Sequence, residues 1–87
     1  MAQMMSNDAA EWGRELKASE LERKTVVILS RDGLRGVTAW VTNTEGVFFH
    51  FTMGVLNTTL ALMKLDDDTL IDDTLERVRV FKYEGEV

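Results

Sequence analysis

The sequence predicts a mainly β fold: a small barrel of four to five antiparallel strands with an N-terminal α-helix. Three strand-like runs between Thr25 and Thr52 carry that expectation: TVVILS, GVTAWVT and VFFHFT. The gaps between them hold turn residues, Asp32-Gly33 in the first and NTEG in the second, where a glycine can supply the positive φ of a tight hairpin. The third observation is that the first and third runs are apolar on both faces. Val27 and Leu29 alternate with Val26 and Ile28, and Val47, Phe49 and Phe51 with Phe48, His50 and Thr52. A strand apolar on both faces must be covered twice, once by a barrel interior and once from outside.

The elements follow in order. Asp8-Ala-Ala-Glu11 reads as a capping box opening a helix with Ala9, Trp12 and Leu16 on one stripe. Ser19-Glu-Leu-Glu22 adds a second box, and the helix is expected to end near Arg23. Residues 1–24 form the N-terminal tail and helix, and residues 25–84 form the barrel of a single domain. After the three runs, Thr59–Leu65 could extend the meander as a strand or form a helix, since leucine, alanine, methionine and lysine favour helices. A strand is preferred because it keeps the architecture unchanged. Asp66–Asp73 is then a loop pinned by Leu70-Ile71, and Thr74–Tyr83 is the last strand.

Composition narrows the function classes. The chain has 87 residues and no cysteine, so no disulfide or thiolate metal site staples it, and self-association is a ready source of extra stability. The net charge of −5 is local: Asp66–Asp73 holds five aspartates and no base, whereas the rest of the chain is balanced. Duplex nucleic acid would call for a basic face instead. No apolar run is long enough to span a membrane, and the N-terminus lacks the basic-then-apolar pattern of a secretory signal, so a cytoplasmic protein is expected.

The segment Lys24-Thr-Val-Val-Ile-Leu-Ser-Arg-Asp-Gly-Leu-Arg-Gly-Val37 resembles the opening of an Sm-like domain, and the overall plan resembles a small SH3-like or Sm-like barrel. The resemblance implies that fold and a tendency to form rings. After its second strand this chain has Thr42-Asn43-Thr44-Glu45 where the family has an aspartate and a methionine–asparagine pair. Leu75–Val80 likewise lacks the family's late arginine–glycine contact, so no RNA-binding residue carries over.

Raw material for catalysis is scarce. His50 is the only histidine, it sits among phenylalanines, and a partly buried, satisfied ring is preferred over a ligand contact. No cofactor and no metal are expected, because Asp66, Asp67, Asp68, Asp72 and Asp73 lack the alternation and central glycine of a calcium loop. Those aspartates form either a solvated loop or an acidic docking loop able to mimic phosphate charge. Arg77, Arg79, Phe81 and Tyr83 alternate onto one face of the last strand, with Arg31 and Arg35 flanking the Asp32-Gly33 turn. Arginines beside aromatic rings could take a small anionic ligand such as a nucleotide, or RNA. The alternative is a solvated exterior whose arginines neutralise nearby aspartates.

Trp40, Phe48 and Trp12 are the candidate interface residues. Trp40 is either covered by the N-terminal helix through Trp12 and Leu16 or anchors a partner, and cover by the helix is preferred. The functional expectation is a non-catalytic, acidic binding protein acting as a homo-oligomer or with a protein partner. The alternatives are an anionic-ligand or RNA binder and a nucleic-acid-mimicking inhibitor.

Overall fold

β-branched and aromatic residues fill the segments that pair. In the computed structural model, which describes residues 12–31, 36–53 and 57–85, they form seven antiparallel strands. These are β1 (Trp12–Leu16), β2 (Val26–Arg31), β3 (Val37–Asn43), β4 (Phe48–Met53), β5 (Thr58–Lys64), β6 (Leu70–Ile71) and β7 (Arg77–Tyr83), with a 3-10 turn at Ala18–Glu20. Strands β2 to β7 succeed one another around a small closed barrel, and β7 closes it on β2 with Leu29 opposite Val80. The other edge of β7 is divided. β6 pairs with its beginning, Leu70 opposite Val78, and β1 with its end, Trp12 opposite Tyr83 and Leu16 opposite Val80.

The interior follows the two-residue period. Val27, Leu29, Ala39, Val41, Phe49, Phe51, Leu62, Leu70, Val78 and Val80 all point inward into one buried cluster. Phe51 and Leu62 at its centre are fully inaccessible. Thr58–Lys64 is a strand, because Leu60 and Leu62 stand opposite Phe51 and Phe49 and fill the barrel. That tertiary demand overrides the helix preference of its residues.

Two expectations are corrected. The strands number seven, six of them in the barrel, where four to five were expected, because β1 and the two-residue β6 also join the sheet. And the described part of the N-terminal segment, from Trp12, forms a strand and a 3-10 turn; no α-helix occurs among the described residues. A bulge between Trp12 and Glu15 breaks the strand's alternation. It turns Trp12 outward and Leu16 inward, so a spacing of four arises from a strand and imitates a helical stripe. The Asp8–Glu11 box lies outside the described residues. In place of the box expected at Ser19–Glu22, the Lys17 N–H donates to Glu20 Oε1 at 2.8 Å, and Glu20 also meets Arg14 at 3.1 Å.

The outer cover is supplied by β1. Ile28 points away from the core between Val27 and Leu29, yet it is fully buried. Its cross-strand partner Phe81 carries the Trp12 ring, with centroids 4.8 Å apart and planes at 49°. A β-carbon on Gly36 would collide with Ile28 Cγ2 and the Trp12 ring, so these three residues meet where only a glycine fits. Gly36→Ala should therefore cost about 1–3 kcal/mol in chemical denaturation. Gly46 has φ +77, and a β-carbon there would meet nothing within 4 Å beyond its chain neighbours, so Gly46→Asn, an αL-tolerant change in open space, should stay within about 0.5 kcal/mol of wild type.

Candidate functional site

The outer surface of β3, β4 and β5 is set by the same alternation that fills the core. Trp40 stands opposite Thr52, Asn43 opposite His50, Phe48 opposite Met63, His50 opposite Ala61, and Thr52 opposite Thr59. None of these outward side chains is an aspartate, glutamate, lysine or arginine, in a chain where 29% of residues are. Two large apolar residues are open on this face, Trp40 at 44% and Phe48 at 51% exposure, and Val47 just before β4 is exposed as well. His50 is half-buried beside Asn43, whose Nδ2 lies 3.4 Å from His50 Nδ1 and donates to the carbonyls of Glu45 and Phe48 at 3.2 Å.

The preferred cover for Trp40 is not observed. Trp12 spends its ring on Phe81 and Ile28, and Leu16 packs against the interior cluster, so neither covers Trp40. Both residues are carried along the β7 edge, on the far side of β2 from β3. Trp40 instead overlooks a groove bounded by Arg23, Lys24, Thr42 and Thr52.

Arg77, Arg79, Phe81 and Tyr83 share the outer face of β7, with Val78 and Val80 buried beneath. The anion that meets the arginines belongs to β1. Arg79 Nε and Nη2 donate to the two oxygens of Glu15 at 3.0 and 2.8 Å, in a bidentate fork, and Arg77 lies 3.6 Å away. The hydrogen bond from Arg79, reinforced by both positive charges, holds the Glu15 carboxyl below its ordinary value despite partial burial. Arg79 also stands 5.3 Å over the Phe81 ring. Arg35 and the Asp32-Gly33 turn lie outside the described residues.

The aspartate run is divided by β6 into two turns with different roles. Asp66 Oδ1 accepts the Asp68 N–H at 2.9 Å, and that bond, with the Thr69 hydroxyl, lowers the Asp66 carboxyl. Asp67 lies 3.5 Å from Lys64. Asp72 organises the turn into β7. Its Oδ1 accepts the Thr74 hydroxyl at 2.7 Å and the N–H groups of Thr74 and Glu76 at 2.9 Å, while Oδ2 takes Arg31 at 2.7 Å. Its side chain is only 10% exposed. The Thr74 hydroxyl, then the Glu76 N–H, and with them Arg31 hold this carboxyl far below its ordinary 3.8. Asp68 and Asp73 make no ion pair with a described residue. Within the turn Leu75 sits at φ +67 with its side chain 75% exposed, an uncommon conformation for leucine.

Among the described residues no three histidine, aspartate or glutamate side chains are grouped to hold a metal ion, and no helix is long and apolar enough to cross a membrane. The fold and these surfaces define the class, a small closed β-barrel with one uncharged outer face. Compared with family models, curated proteins and solved structures, the chain matches none. The signal for the uncharged face is present in the sequence as an absence: every second residue of three strands avoids charge. It becomes readable only once the pairings place those residues side by side.

The Asp72 turn has a pH signature. A carboxylate whose folded value is depressed stabilises the fold above its ordinary value, and that stability is lost as pH falls through and below it. The stability gap between wild type and Asp72→Ala should thus be constant above about pH 5 and shrink steadily as pH drops past 3.8. At neutral pH, Asp72→Ala should lower the thermal midpoint by about 5 °C or more, whereas Asp73→Ala should leave it within about 2 °C.

Proposed function

We propose that this chain is a non-catalytic protein-interaction module that self-associates through the outer face of β3, β4 and β5. The observation that carries the proposal is the charge-free character of that face, with Trp40 and Phe48 exposed on it. Large aromatic side chains on an uncharged, half-apolar sheet are the composition of an interface centre. A second copy suits it better than an unlike partner of opposite charge. The outward side chains of the three strands carry no charge, Arg23 and Lys24 stand only at the groove beside Trp40, and the five aspartates that make every copy acidic lie in the turns on either side of β6. Two acidic molecules can therefore meet here without bringing their aspartate runs together.

Size argues the same way. A barrel of this length without disulfides buries a modest share of its surface, and an apolar contact between copies adds stability at no cost in fold. The barrel's closed, chain-ordered plan is compatible with SH3-like and Sm-like barrels, and the resemblance of Lys24–Val37 to an Sm-like opening belongs to this proposal, with its tendency towards rings. The anionic-ligand reading is the weaker one, because Glu15 already occupies the guanidinium donors that a phosphate would need.

Native mass spectrometry and light scattering of the purified protein test the proposal. A defined multimer is the expected result. Trp40→Ser with Phe48→Ser should weaken assembly by about tenfold or more with an unchanged far-UV spectrum. A monomer at high concentration, or a multimer indifferent to both substitutions, refutes the assignment.

A further inference from the structure

A second feature, separate from the uncharged face, lies where β5 outruns its neighbour. β6 pairs only with Met63 and Lys64, so from Thr59 to Leu62 this edge of β5 has no partner strand among the described residues. The direction of its backbone groups follows from one bond. Lys64 N–H donates to Val47 O at 2.7 Å, towards β4. Alternation then turns the groups of Leu60 and Leu62 to β4 and those of Thr59 and Ala61 outward, and both of the latter residues are exposed. Immediately inside this edge a cleft of about 270 Å³ opens at the end of the barrel, lined by Leu29, Val37, Met53, Leu60 and Val78. Its rim carries Arg31, Asp72 and Asp73, and Arg31 is held by Asp72 at 2.7 Å and by Glu76, behind the rim, at 3.4 Å, so three carboxylates surround one cation.

We infer that this edge is a strand-addition site for an extended basic peptide. An incoming strand that pairs with Thr59 and Ala61 satisfies their outward N–H and C=O groups. Its residue opposite Leu60 shares the inner register and enters the cleft, which has room for one leucine- or methionine-sized side chain. The flanking residues share the outer register and run past Asp73, where lysine or arginine meets the net negative rim. A second copy fits this edge poorly, because it would bring its own three carboxylates to the same place.

Anisotropy titration of the intact protein with a labelled Thr-Lys-Leu-Lys-Val peptide tests the site, and saturable binding is expected. Replacing leucine by serine, both lysines by glutamate, or the edge-facing amides by N-methyl amides should each weaken binding by about tenfold or more. On the protein, Ala61→Pro removes an outward donor while leaving the β4 ladder intact, and should abolish binding. Asp73→Lys should weaken it about tenfold. Absence of binding, equal binding of the N-methylated peptide, or equal binding to folded Ala61→Pro overturns the inference; the N-methylated peptide decides the matter should Ala61→Pro fail to fold. Loss of peptide binding in Trp40→Ser with Phe48→Ser would place the peptide on the uncharged face and likewise overturn the inference. Trp40→Ser with Phe48→Ser should leave peptide binding intact, so this site and the assembly face succeed or fail separately.

Discussion

The second edge of β7 is the constraint on which the remaining structure depends. One edge of that strand closes the barrel on β2, and the other must be paired or left open. Two short segments divide it, β6 over Arg77 and Val78 and β1 over Val80 to Tyr83. Neither segment is long enough to cover the strand alone. Because β6 spans two residues, Leu70 plugs the core, but β6 cannot also run the length of β5. Because β1 arrives late along β7, Trp12 lands on Phe81 and roofs Ile28, a residue that the barrel interior cannot reach. The same division thus buries the outer apolar layer on one side of the barrel and, among the described residues, gives Thr59 to Leu62 no partner strand on the β6 side.

Charge is distributed around that closure. Glu15 is carried by β1 to the arginines of β7, and Asp72 ends β6 by binding the turn amides and Arg31 of β2. Both carboxylates join segments that converge on β7, so their ion pairs lie at the seams of the barrel. Exposed pairs of this kind contribute little individually. Asp72 differs, because four donors converge on a carboxylate that is almost inaccessible, and hydrogen bonds to a charged acceptor are among the stronger ones. With charges used at the seams, the three strands farthest from β7 present a face that carries none.

The meander from Val26 to Met53 was legible because periodicity, turn residues and β-propensity agree there. So was the outward row of Arg77, Arg79, Phe81 and Tyr83, which needs only alternation. The N-terminal segment was not legible as a strand. Its bulge resets the period between Trp12 and Glu15, so that apolar Trp12 and Leu16 fall four apart, the spacing of a helical stripe, although one faces outward and the other inward. In sequence, β6 is no more than an apolar pin within a loop, since two residues carry no period at all. The partner of the arginines was hidden for a different reason. Glu15 lies 64 residues from Arg79, and no local pattern joins them. Asp72 looked like one of five equal aspartates; its distinction is the Thr74 hydroxyl and the Glu76 N–H two and four residues on, a local cue that the acidity of the run masks.

The two proposed surfaces make different physical demands, and the barrel meets each with a different part of β5. Side chains of Thr59, Ala61 and Met63 belong to the uncharged face, whereas the outward backbone of Thr59 and Ala61 belongs to the edge. Binding on the face needs desolvation of apolar surface, which salt hardly changes. Binding at the edge needs unpaired amides and an acidic rim, whose attraction for a basic strand is screened as ionic strength rises. A strand added to β5 would also extend the uncharged face by one strand, since its outer-register residues continue the same surface. The two surfaces thus share one strand yet call on different atoms of it, side chains for the face and main chain for the edge, and salt distinguishes one from the other.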